Sequence, residues 1–466
     1  MELFERDAYY GCFIFLTVFL TKRVGFTDVE AGFVTGAFSF LLYFMPTFMG
    51  VLADRIGFKQ AIVLAYALLA LGYGVLGAFP TKASAILALS IILVGGAINK
   101  PVISGTTAKC SDEVNRARAF SIFYWVVNIG AFFGKSVVDP IRLVFMGPVE
   151  TGFVGWVRGA LGNPMMEGAE YQYVNLYASV MALCGLLFAV LFYKNPEEVG
   201  GKGAETKELS ELLVGLKKVL LNWRFLCLII ITGLFWSIQG QLYATMPKYL
   251  FRMVGLESKP GWIANVNPLT VVILVIPITH LVRKIRPVTS IGIGFLIIPL
   301  SALSVAIAPM LGTEEVSLGF TTVNPIILMM MIGIMCQGVA ECFLSPRFLE
   351  YASKQAPEGE VGLYMGYSHL NAGFGWLFGF VVSGYLLDIW CPDPSTLPEG
   401  LTAAERASYY LHAHYIWYVF TAIGVLGFVL LVLFRTVTDR IDRAAPTGGT
   451  DKGSDDDGEE VAKAEE

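Results

Sequence analysis

Gly50-Val-Leu-Ala-Asp54-Arg55-Ile-Gly57-Phe-Lys59 stands between two long apolar runs, and its reading decides the fold. Glycine permits a tight turn and a close helix approach, and Asp54 and Arg55 can pair at a membrane edge. Taken alone, the stretch is an ordinary charged turn; its place in the chain says more. Before it, apolar runs cover 2–21 and 29–53. After it they cover 60–79, 84–108, 117–143, 173–193, 225–250, 261–283, 288–309, 322–350, 360–389 and 409–435. Each is close to the roughly 20 residues that a helix needs to cross the hydrocarbon core. An all-α membrane protein with twelve transmembrane helices in two six-helix bundles is therefore expected.

Composition agrees. The chain has 466 residues, 55% of them hydrophobic, and a mean hydropathy of +0.63. Seven cysteines are scattered without CxxC spacing and four histidines form no ligand cluster, so no metal, cofactor or disulfide framework is indicated. An acidic pair stands where a signal peptide would carry its basic region, so a cleavable leader is not expected. There is no GxxxxGK[ST], HExxH or GxSxG, which argues against ATP-driven transport and against an enzyme.

The expected organisation is a first bundle over 1–194, a linker over 195–223, a second bundle over 224–438 and a tail over 439–466. The tail's run of acids reads as disordered and solvated. Within the linker, 207–221 spaces its leucines helically between charges, as an amphipathic helix on a membrane surface does. Twelve spans put both termini on one side. Arg55, Lys59, Lys109, Arg116, Arg118, the linker, Arg283, Lys284, Arg286, Arg347 and Lys354 all fall on that side, so both termini are expected in the cytoplasm. A multi-pass cell-membrane protein, monomeric, in contact with lipid and with no nucleic-acid partner, is the resulting expectation. Two six-span halves place a substrate site near the midplane between them.

The first span is the unusual one. Its apolar part, Cys12–Leu20, is too short to cross alone, so Glu2-Leu-Phe-Glu5-Arg6-Asp-Ala-Tyr9-Tyr10-Gly11 must enter the membrane too. Each charge there costs on the order of 3 kcal/mol at the bilayer centre, and such residues usually line polar cavities. Glu2, Glu5, Arg6 and Tyr9 recur at i, i+3, i+4 and i+7 and share one stripe. Lys100 and Glu341 also lie well inside apolar runs. A static Lys–Glu pair tying the halves together is one reading of them. Another is a pair that opens for a zwitterion, whose ammonium meets Glu341 and whose carboxylate meets Lys100.

Together these features give the chain a resemblance. The 50–59 stretch is similar to the loop motif of the major facilitator superfamily. Glu2-x-x-Glu5-Arg6-x-x-Tyr9-Tyr10-Gly11 resembles the ExxERFxYYG motif of the proton-coupled oligopeptide transporters, with Asp7 in place of Phe. Lys100-Pro101, Phe123-Tyr124-Trp-Val-Val-Asn128-Ile-Gly130, Asn267-Pro268 and Glu341-x-x-x-Ser345-Pro346 follow in that family's order, although Val102 stands where Asn is usual. The resemblance implies proton-driven import of di- and tripeptides by alternating access, with the proton as coupling ion and no other cofactor. It implies proton coupling by Glu2, Glu5 and Arg6. For the substrate it implies Tyr9, Tyr10, Tyr43, Lys100, Asn128, Trp236, Asn267, Glu341 and Ser345. For each aromatic, helix packing is an equally good reading. Other cargo within the family's range, such as nitrate or an amino acid, and a non-transporting sensor remain as alternatives.

Two departures stand out. Phe13 occupies a position where the family usually has Arg, and Gly240 one where it has Glu. The two are thought to pair across the outer gate, so their joint loss is consistent: removing one would strand the other in low dielectric. Lys135 stands where the family more often has Pro. It could pair locally with Asp139 at i+4, or point into the cavity as an anion site.

Overall fold

The computed structural model describes residues 1–111, 115–147, 152–160, 168–196, 209–312, 315–319, 321–356 and 361–444. The acidic tail beyond 444 and linker residues 197–208 lie outside the described residues. The first half comprises α1 (Glu2–Phe19), α2 (Asp28–Phe44), α3 (Pro46–Ile56), α4 (Phe58–Ala78) and α5 (Lys82–Lys109). It continues through α6 (Arg116–Met146), the short α7 (Gly152–Ala160) and α8 (Glu170–Phe192). The expected linker helix is α9 (Leu209–Leu221). The second half opens with α10 (Trp223–Gln239), α11 (Gln241–Ala244), α12 (Met246–Met253), α13 (Pro260–Ala264) and α14 (Val266–Leu281). After α15 (Pro287–Ala306) a small hairpin pairs β1 (Val316–Ser317) with β2 (Thr322–Val323). The chain ends with α16 (Pro325–Gln355), α17 (Val361–Ser368), α18 (Leu370–Trp390), α19 (Ala403–Ser408) and α20 (Tyr415–Ala444).

Each of the twelve expected stretches falls on one or more of these helices, several of them broken. Among the described residues nine are long and apolar enough to cross a bilayer, or ten with the bent pair α2–α3 counted as one. Pro46 opens α3, where its missing N–H costs no intrahelical bond, and Gly57 reverses the chain at φ +88°. Arg55 is exposed; the side chain of Asp54 lies outside the described residues. α2 is started by a capping box: Glu30 N–H donates to Thr27 Oγ1 at 3.1 Å and Thr27 N–H to Glu30 Oε2 at 2.9 Å.

Glycines set how closely helices approach. A Cβ on Gly134 would stand 2.3 Å from the Asp7 carbonyl, and one on Gly130 2.7 Å from Arg6 Cβ, so α6 lies directly on α1. The two halves meet in the same way. A Cβ on Gly32 would sit 2.5 Å from Phe380 O, and one on Gly384 2.6 Å from Asp28 O, joining α2 to α18. A second joint brings α6 against α13, where a Cβ on Gly261 would be 2.3 Å from Lys135 O. Small residues serve this purpose in membranes, where close backbone approach supplies dispersion that apolar burial cannot.

Candidate functional site in the central cavity

The charged stripe of α1 folds in on itself. Arg6 Nε contacts Glu5 Oε2 and lies 3.0 Å from Glu2 Oε1, and all three residues are buried. Arg6 also stands 5.7 Å from the ring of Tyr9. The departure at Asp7 turns away from this cluster: its carboxylate accepts the Tyr177 hydroxyl of α8 at 2.7 Å.

Lys100 on α5 places its ammonium 4.4 Å from the Tyr43 ring centroid, a cation–π geometry. The charges acting on it are Arg6, Glu5 and Glu2. Glu341 on α16 is served differently. Gln239 Nε2 donates to its Oε2 at 2.7 Å, Asn267 lies beside it, and the cation it senses is Lys135. Among the described residues no ion pair joins Lys100 to Glu341, so the reading of a static Lys–Glu tie between the halves does not hold here. Each charge keeps company with its own neighbours instead.

Lys135 also departs from its local reading. Asp139, the expected i+4 partner, accepts the Trp262 N–H at 3.0 Å and faces Arg142 Nε at 3.9 Å. Lys135 Nζ donates to Ala264 O at 3.5 Å and lies 5.6 Å from the Tyr10 ring. Asn128, Lys135, Asp139 and Arg142 recur at i, i+7, i+11 and i+14, which puts them on one face of α6, toward the second half. Asn128 sits at an apolar crevice of about 150 Å³ with Phe132, Pro268 and Leu269, between α6 and α14. The Trp236 indole N–H and the Ser345 hydroxyl are buried without a hydrogen-bond partner among the described residues.

Sequence reading missed His369, which is exposed within a run of buried residues at the start of α18. With Gly373, Trp376 and Phe380 it follows the i, i+4, i+7, i+11 stripe that faces α2. A Cβ on Gly373 would lie 3.3 Å from Tyr43 Cβ, and Lys100 is the charge acting on His369. That stripe was the available signal.

The end of the molecule opposite the termini is closed. Phe13 stacks on Tyr9 with ring centroids 5.0 Å apart and on Trp376 at 5.5 Å, and it tilts against Tyr243 at 5.1 Å. A Cβ on Gly240 would meet Trp376 and Phe380 at 3.4 Å. The two departures thus meet in one aromatic plug, where the family's charged pair would stand. Beyond it lies an ion network that sequence reading did not find. Asp28 of the first half binds Lys248 at 2.6 Å and Arg252 at 2.8 Å. Asp393 binds Arg252 at 3.2 Å and Lys22 at 2.9 Å. Burial works against the charge on Asp393, yet Arg252 and the hydrogen bonds from Ser395 and Lys22 hold its carboxyl well below the usual carboxylate range.

Two six-helix halves around buried charges, sealed at one end, define a polytopic membrane transporter rather than an enzyme. The family model described as Major Facilitator Superfamily matches residues 8–319 and 261–455, and the chain belongs to that superfamily. Within it, the chain is similar to dipeptide and tripeptide permease B of Photorhabdus luminescens, at 23% identity over 95% of both chains. Dipeptide and tripeptide permease A of Escherichia coli strain K12 is 24% identical over 97% of this chain and 93% of its own. Among solved structures, a POT family transporter in complex with a thioalcohol-conjugated peptide superposes at a TM-score of 0.70. It shares 18% identity, over 94% of this chain and 95% of that one. A mutant of peptide transporter POT in complex with alafosfalin gives 0.69 at 19% identity, over 95% and 93%. The resemblance read from the motifs is borne out.

Proposed function

We propose that this chain is a proton-coupled symporter that imports di- and tripeptides by alternating access. The observation that carries the reading is the buried Glu2–Glu5–Arg6 cluster, with Lys100 held in its field and the Glu341 carboxylate on the opposite half. Buried carboxylates beside a cation change protonation when their hydration or partners change, which is what coupling to a proton gradient requires. Protonation and cargo entry together would allow closure, and return to the cytoplasm-facing state would release both. With both termini cytoplasmic, as the Lys and Arg distribution supports, the sealed end faces outward and the cavity is served from the cytoplasm. The peptide permeases similar over nearly the whole chain support the cargo class.

Uptake of labelled dialanine into proteoliposomes, with and without an imposed proton gradient, tests this. Gradient-dependent accumulation is the expected result. Binding without accumulation would mark a sensor, and accumulation of nitrate or a free amino acid in place of dialanine would move the cargo class.

A further inference from the structure

Lys135 is a buried cation that the resemblance does not explain. It is 2% exposed and has no ion pair among the described residues. Its one hydrogen bond among the described residues, to Ala264 O, has a donor–acceptor distance of 3.5 Å, longer than an ordinary N–H···O bond. That carbonyl is free for a reason. The residue four positions on is Pro268, which has no N–H to return to it, so the break between α13 and α14 leaves an acceptor that the other half of the molecule fills. The Tyr10 ring lies 5.6 Å from the ammonium, Glu341 is the anion that acts on it, and both residues are partly exposed. Lys100 instead lies over the Tyr43 ring, with Arg6, Glu5 and Glu2 as the charges around it.

We propose that Lys135, rather than Lys100, binds the carboxylate of a zwitterionic cargo, while Glu341 takes its ammonium. This rests on the symporter reading. The lysine supplies the anion-binding charge that Phe13 cannot. It exchanges a long bond to a carbonyl for an ion pair, so cargo of this class removes an interhalf hydrogen bond at the joint of α6 with α13 and α14. Lys100 is left beside the Glu2–Glu5–Arg6 cluster of its own half.

The test measures binding of dialanine, dialanine amide and N-acetyl-dialanine to the full-length protein in detergent, for wild type, Lys135→Gln, Lys135→Arg and Lys100→Gln. Gln at 135 keeps a donor for Ala264 O without the charge, and a thermal melt of each variant reports folding. Wild type is expected to prefer the free carboxylate over the amide. Lys135→Gln should erase that preference by weakening dialanine on the order of tenfold, equivalent to loss of one charge-assisted contact. Lys135→Arg should retain it, and Lys135→Gln should leave the response to N-acetylation unchanged. Preference that survives in Lys135→Gln and vanishes in Lys100→Gln overturns the proposal while leaving the symporter reading intact. A wild type indifferent to amidation overturns it too. A wild type that binds no form of dialanine sinks the symporter reading and this inference with it.

Discussion

At the scale of single residues, the α1 cluster is local chemistry. Glu2, Glu5 and Arg6 meet because i, i+3 and i+4 fall on one face, so the sequence pattern alone located them. Glu5→Gln removes a titratable carboxylate while keeping its shape and should abolish gradient-driven dialanine accumulation while sparing counterflow. Undiminished accumulation would show that coupling resides elsewhere. Glu341→Ala leaves Gln239 without its acceptor and takes away the carboxylate that the second half contributes. Binding of peptides with a free N-terminus should weaken on the order of tenfold, as loss of a charge-assisted contact implies, and N-acetylated ligands should feel the change less. The partners of Lys135, Glu341 and Asp28 were not legible in this way. Ala264, Gln239 and Lys248 are each more than 100 residues away in sequence from the group they serve, and helical spacing carries no information over that range.

For whole elements, apolar run length gave the twelve spans because a bilayer fixes it. It did not give the breaks at Gly240, Thr245 and Asn265, since a broken span and a straight one bury the same hydropathy. The interhelical contacts lie in between: glycines are visible in sequence, but not which helix each one admits. Gly134 is a clear case, with the Asp7 carbonyl where a Cβ would go. Gly134→Ala should force α6 off α1 and destabilise the fold by about 1–3 kcal/mol, as overpacking does. Gly366, also helical, has nothing among the described residues within 4 Å of its Cβ position, so Gly366→Ala should be neutral or slightly stabilising. Thermal melts of the two purified variants make the comparison, and equal melting temperatures would show that α1–α6 contact is not the constraint described.

Over the whole molecule, the question is what keeps the far end shut and whether protons act there. Asp28, Lys248, Arg252, Asp393 and Lys22 join both halves in one buried network. Removing one member leaves the others uncompensated, and breaking such a pair costs about 3–5 kcal/mol. Asp28→Asn should therefore shift the population toward an open far end. Spin labels at the exposed Ala83 and Ala404, one in each half, should then report longer distances than in wild type. The pH dependence separates this lock from the coupling site. The Asp393 carboxyl is held below its ordinary range, which lies near about 3.9. A depressed acid lends its stabilisation above the ordinary pKa and loses it only as pH falls through the depressed one. Asp393 thus stays ionised across pH 5–8, and its ion pairs cannot read a physiological proton gradient. In Glu5→Gln, where the α1 carboxylate no longer titrates, the Ala83–Ala404 distance distribution should be the same at pH 5 and pH 8. A distribution that still lengthens on acidification in that variant would place a proton-sensitive group in the gate itself and remove the division of labour between lock and coupling cluster.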